Sequence, residues 1–161
     1  AAVGGKLYYA DNTIQHAGLV IGLGAHRAAG HTHYKDDKMH LGYMGRLCYA
    51  QDVTAVTGAC LMVSRAQYDE VGGLDEEFRV AFNDVDFCLK LRHAGYLNVF
   101  TPFAELYHYE SKTRGMEEGE KQKRFQQEVD LFRKKWKADL DAGDPYFNPN
   151  FSLDYSDYTI K

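Results

Sequence analysis

Cysteine is scarce in this chain, limited to Cys48, Cys60 and Cys88. An odd set without Cys-x-x-Cys spacing excludes a disulfide framework and a cysteine-built metal knuckle. Cys60 and Cys88 lie in apolar stretches and read as packed core thiols. A membrane-length apolar run and a signal peptide are also missing, which argues against a spanning helix and fits the reducing cytoplasm. Basic charge is not in excess either: the formal net charge is −4, which carries no nucleic-acid signature. No βαβ unit and no glycine-rich phosphate loop opens the chain. What remains, 45% apolar and 26% charged residues over a length of 161, describes a globular chain able to bury one core.

The richest stretch is Gly72 to Tyr96, GGLDEEFRVAFNDVDFCLKLRHAGY. Phe87, Cys88, Leu91 and Ala94 recur at helical steps on one face, while Asp86 and Lys90 form an i,i+4 pair on another, solvated one. Asn83 is the expected N-cap, with Asp86 reaching back as in a capping box. Asp84 then falls in the first turn, near the positive end of the helix dipole. Both acids could simply cap the helix.

The surrounding text resembles the family 2 glycosyltransferases, particularly the rhamnosyltransferase-like branch that builds bacterial surface polysaccharides. The matching pieces are TGACLMVSRAQYDEVGGLDEEF (Thr57 to Phe78), FNDVDFCLKLRHAGY (Phe82 to Tyr96), TPFAELYHYESKTRG (Thr101 to Gly115) and DPYFNPNFS (Asp144 to Ser152). Upstream, Val3 to Gly24 continues the likeness, in the same order. The resemblance implies the acceptor-side, C-terminal half of a GT-A nucleotide-diphospho-sugar transferase fold: an α/β architecture with a mixed sheet flanked by helices.

By position in the family's Glu-Asp-x-Asp pattern, Asp84 inherits the role of catalytic base, with Asn83 in place of the Glu and Asp86 in a supporting role. An inverting transfer needs such a base within about 3 Å of the acceptor hydroxyl. His108, in LYHYES, matches a late histidine that completes the metal shell or contacts the diphosphate; its plainer reading is a structural hydrogen bonder. Ser111 and Arg114 follow as diphosphate-binding candidates. Thr57, Gly58 and Ala59 carry over as acceptor contacts, or else mark a packing bulge. The implied cofactor is Mg2+ or Mn2+, yet no Asp-x-Asp follows a buried strand. Asp84-Val85-Asp86 opens a helix, and Asp139-Leu140-Asp141 closes one. The expectation is therefore a part of a transferase that binds no metal tightly and transfers no sugar alone.

Elsewhere, strands are expected at Val3 to Tyr8, Gln15 to Gly22, Val53 to Val63, Leu97 to Phe100 and Ala104 to His108. A His-rich loop from Gly24 to Gly45 should border the site; His26, His31, His33 and His40 suggest zinc, but no acid or cysteine completes a recognised spacing. Ser64 should cap a short helix ended by Gly72-Gly73. A long helix from Met116 to Ala138 should bury Phe125, Val129, Phe132 and Trp136. From Lys112 to Lys137 nine basic residues face five acidic ones, a surface for solvent or for anionic lipid. Residues 1–138 then form one α/β domain and residues 139–161 an extended acidic, Tyr-rich arm, since Pro145 and Pro149 exclude further helix.

In the intact enzyme the expected partners are a nucleotide-diphospho-sugar donor and a glycan or lipid-linked acceptor, at the inner face of the cytoplasmic membrane. Peripheral membrane contact and homo-oligomerisation stay open. The alternative is a noncatalytic glycan- or lipid-binding or assembly module of the same ancestry.

Overall fold

The computed structural model of the chain describes residues 1–109 and 119–161. Its strands are β1 (Val3–Tyr8), β2 (Ile14–His16), β3 (Leu19–Ile21), β4 (Ala29–His31), β5 (Gln51–Val53), β6 (Leu61–Met62) and β7 (Asn98–Tyr107). Its helices are α1 (Arg65–Glu70), α2 (Asn83–His93), α3 (Glu120–Lys135) and α4 (Lys137–Ala142). The main sheet runs β2-β1-β7-β5, with β6 also paired to β1, and a separate ribbon joins β3 to β4. β1 and β7 are parallel and the other pairs antiparallel, so the fold is mixed α/β.

β1 carries glycines because other backbone and side chains come too close for a Cβ. One built on Gly4 would lie 2.5 Å from Val56 Cβ, and one on Gly5 would lie 2.6 Å from the Ala104 carbonyl oxygen. The second contact marks a break in register. Gly5 pairs with Thr101 but Lys6 pairs with Glu105, so Pro102, Phe103 and Ala104 bulge away without partners on β1. The separate strands expected before and after this point are one strand interrupted by that bulge. Beyond it, Tyr8 Oη donates to Glu105 at 2.8 Å.

Other expected strands are shorter. The Gln15 to Gly22 run divides at Gly18, whose φ of +99° no strand residue adopts. The Val53 to Val63 run turns through a 3-10 segment at Gly58–Cys60, N-capped by Thr57, whose side chain accepts the Ala59 N–H. α1 is capped as expected: Ser64 Oγ accepts from Gln67 N at 3.2 Å. Gly72 and Gly73 leave it with φ of +77° and +65°. The long helix breaks at Trp136, where φ is −105° and ψ 25°, separating α3 from α4.

The central core joins Tyr8, Ile14, Phe87, Leu89, Phe100 and Phe132. Buried Asn98 ties β7 to its neighbours, its amide donating at 2.9 Å to the carbonyls of Thr54 and Cys88. Cys88 is packed in this core, whereas Cys60 is only half-buried at its turn. A second cluster of Val20, Leu23, Phe147 and Tyr158 receives the tail. Asp144 fastens it by accepting the Ile21 N–H at 2.9 Å. Among the described residues no helix is long and apolar enough to cross a membrane.

Candidate functional site

α2 starts on a residue in left-handed conformation, Phe82, with φ 62° and ψ 2° and no side-chain cap. Asn83 is therefore the first helical residue and does not cap, contrary to the sequence expectation. Asp86 does not cap either. Its carboxylate is wholly buried and turns toward α3, where Oδ1 accepts from Trp136 Nε1 at 2.9 Å and pairs with Lys135 Nζ at 2.7 Å. The i,i+4 pair with Lys90 forms at 3.6 Å, but on a packed face rather than a solvated one. A cation and an indole N–H outcompete the helix amides for this acid.

Asp84 faces the other way. Its Oδ2 accepts the Gly58 N–H at 2.7 Å, and its Oδ1 accepts the Val85 N–H at 2.8 Å. Each oxygen keeps a lone pair for a further donor. A Cβ on Gly58 would lie 3.4 Å from Asp84 Cβ, an ordinary contact distance, so it is the Gly58 N–H rather than the lack of a side chain that joins the turn to the acid.

Asp84, Thr57, Gly58, Ala59 and His108 line one cavity of about 880 Å3. Leu61, Val63, Tyr68, Phe82 and Phe125 add an apolar wall to the same cavity. His108 follows the end of β7, its N–H donating to Tyr8 O at 2.9 Å. Its Nδ1 lies 2.9 Å from Gln15 Oε1. An amide oxygen only accepts, so Nδ1 carries the proton and Nε2 the lone pair. That chemistry fits a ligand to a divalent ion, but one imidazole cannot hold Mg2+ or Mn2+ without oxygens from a bound diphosphate. Ser111 and Arg114 lie outside the described residues.

His31 also lines the cavity, a position that the sequence did not distinguish from ordinary loop polarity. Its Nδ1 lies 3.0 Å from Nδ1 of His16, which is completely buried. Since His16 Nε2 accepts the Thr57 N–H at 3.4 Å, its proton belongs on Nδ1, pointing at His31. Burial drives the His16 pKa well below the ordinary value.

The loop histidines do meet an acid, which their spacing in sequence had not suggested. His33, Asp36 and His40 come within 4.8 Å of one another. His33 Nδ1 lies 2.9 Å from Asp36 Oδ2. His40 Nδ1 lies 3.8 Å from the same Asp36 oxygen, and backbone supplies two more contacts: Tyr43 N–H donates to His33 Nε2 at 3.3 Å and Gly42 N–H to His40 Nδ1 at 3.0 Å. Both nitrogens of His33 and Nδ1 of His40 are engaged in this hydrogen-bonded turn.

The uncharacterised protein y4gI of Sinorhizobium fredii is 52% identical over 99% of this chain, and the O-antigen biosynthesis protein RfbC of Myxococcus xanthus is 31% identical over 99%. The N-acetylglucosaminyl-diphospho-decaprenol L-rhamnosyltransferase of Mycobacterium tuberculosis is 38% identical over 37% of the chain. The named relatives point to a glycosyltransferase-like family. The chain spans 17% of y4gI, 12% of RfbC and 20% of the rhamnosyltransferase. No family model and no solved structure matches it.

One contributor to the site went unnoticed in the sequence altogether: Glu128, a buried carboxylate whose oxygens accept backbone N–H groups from Arg79, Val80 and Ala81. Its signal was a charged residue inside the apolar stripe, three after Phe125 and four before Phe132.

Proposed function

We propose that the chain is the acceptor-binding, base-bearing part of an inverting glycosyltransferase. It serves surface-polysaccharide or O-antigen synthesis, using a nucleotide-diphospho-sugar donor and a glycan or lipid-linked acceptor. The observation that carries this reading is the meeting of Asp84, Thr57 to Ala59 and His108 around one cavity, although they come from separate parts of the sequence.

In this reading Asp84 accepts the proton of the acceptor hydroxyl as that oxygen bonds to the anomeric carbon. The bond from that carbon to the diphosphate breaks on the opposite face. The Gly58 N–H steadies the carboxylate through the transfer. His108 offers its Nε2 toward the leaving-group side, and Gln15 fixes which nitrogen is free. A divalent ion bound there together with the diphosphate would offset the leaving group's charge. The apolar wall suits the hydrocarbon part of a lipid-linked acceptor. Exposed Lys123, Arg124, Arg133 and Lys134 on α3 would favour an anionic membrane surface.

In the full-length protein, Asp84→Asn should lower kcat by about 10²–10⁴-fold while donor affinity is kept, because it removes the base at nearly constant volume. Turnover close to wild type in that variant would refute the assignment.

A further inference from the structure

The segment that leads into α2 has no regular secondary structure, and a single buried carboxylate holds it. Glu128 is 4% exposed. Its Oε1 accepts from Arg79 N at 3.1 Å and Val80 N at 3.3 Å, and its Oε2 accepts from Ala81 N at 2.6 Å. Successive amides converging on an anion form the kind of concave nest that elsewhere receives a phosphate. Here a side chain from α3 fills it. The next residue, Phe82, is the left-handed one, and its ring stacks on Phe132 at 5.1 Å and Phe125 at 5.8 Å, both from α3. Two residues further on is Asp84. After Asp84 the same helix takes hold again, through Lys135 and the adjoining Trp136 on Asp86.

We propose that Glu128 is a positioning residue of the site: its carboxylate fixes residues 79–82 in the conformation that directs Asp84 against Gly58 and builds the cavity wall from Val80, Ala81 and Phe82. The kinetic consequence rests on the reading of Asp84 as the base; the structural consequence does not. Amides that border an open cavity can turn to water when the acid is lost, so the effect falls on local order rather than on the whole fold. Glutamine is a poor substitute because its NH2 group would confront an amide N–H. Aspartate keeps the charge but withdraws it by one methylene.

Two measurements on Glu128→Gln test this. Amide hydrogen exchange on this chain should quicken about tenfold at residues 79–81, the worth of one charged hydrogen bond, while Leu89 and Leu91 in the middle of α2 stay protected. In the full-length protein kcat should fall by about 10–100-fold, as a displacement near 1 Å can cause, with the donor KM unchanged and Glu128→Asp recovering part of the loss. Adding Glu128→Gln to Asp84→Asn should cost little more than Asp84→Asn alone. Unchanged exchange at 79–81 would overturn the clamp. Faster exchange with wild-type kcat, beside an inactive Asp84→Asn, would overturn the positioning role and leave the base in place. An active Asp84→Asn together with faster exchange would overturn the base and, with it, the kinetic role of Glu128.

Discussion

Replacing Asp86 by alanine removes the acid that joins α2 to α3, and the structure sets the size of the effect. Taking one partner from a buried ion pair typically costs about 3–5 kcal/mol, because the other charge is left uncompensated. Here neither lysine is abandoned. Lys135 keeps Asp75 at 2.6 Å, and Lys90 keeps the Gly73 carbonyl. The wild-type acid is also imperfectly satisfied: among the described residues its Oδ2 receives no hydrogen bond, and the Lys90 ammonium stands off at 3.6 Å. The main loss is therefore the acceptor of a buried Trp136 N–H, worth about 1–3 kcal/mol, together with the charge-assisted bond to Lys135. We expect about 2–3 kcal/mol for Asp86→Ala. For Asp86→Asn, which keeps an acceptor for the indole, we expect about 1 kcal/mol. At roughly 2–4 °C per kcal/mol for a chain of this size, the alanine variant should melt about 4–12 °C lower. Urea unfolding followed by tryptophan fluorescence should show a reduced midpoint with an unchanged slope. If asparagine costs as much as alanine, or if both lie within about 0.5 kcal/mol of wild type, an ordinary surface effect, the reasoning fails.

Stability should fall on mild acidification. Burial lowers the pKa of both His16 and His33 below the ordinary 6.5, so below that pH the unfolded chain binds more protons than the folded one. Each histidine then removes up to about 1.4 kcal/mol per pH unit, for a total of about 1–3 kcal/mol between pH 7.5 and 5.5. Urea midpoints that do not move over that range would show these rings to be solvated. The thiols should separate by reactivity. Exposed Cys48 should react with a disulfide reagent first and half-buried Cys60 more slowly. Cys88, buried and pushed up to about 12, should react only on unfolding; rapid native-state labelling of Cys88 would contradict the packing of α2.

Much of the scaffold could be read from local chemistry. β1, the Ser64 cap, the glycine exit from α1 and the body of α2 each follow from a few adjacent residues, and the structure places them where those residues indicate. The start of α2 could not be read in this way. Asn83 is a good cap by composition, but the stacking of Phe82 on α3 shifts the helix start, and that contact joins residues far apart in sequence. The same holds for Asp86, whose partners Lys135 and Trp136 lie on another helix. For the site, the sequence supplied Asp84, His108 and the Thr57 to Ala59 turn as candidates through resemblance, and the fold gathers them around one cavity. Residues that act by supporting others, Glu128 and His16, carry no motif because their partners are backbone amides and a neighbouring ring.

The bulge at Pro102 to Ala104 has a consequence for how this chain tolerates change in length. Phe103 at its tip is 78% exposed, and exposed, irregular segments usually accept the gain or loss of a residue. This one counts as a spacer of odd length. Beyond it the ladder to β1 resumes at Glu105, Leu106 and Tyr107, so a residue removed here either shortens the bulge or slips that register by one, and the slip turns the later side chains to the opposite face. On a slip His108 would leave the cavity while the surface around Phe103 looked undisturbed. The identity of the residue presented there depends on the register held beyond the bulge as much as on the residue itself, so a length change at this surface bulge spares the site only where the bulge absorbs it.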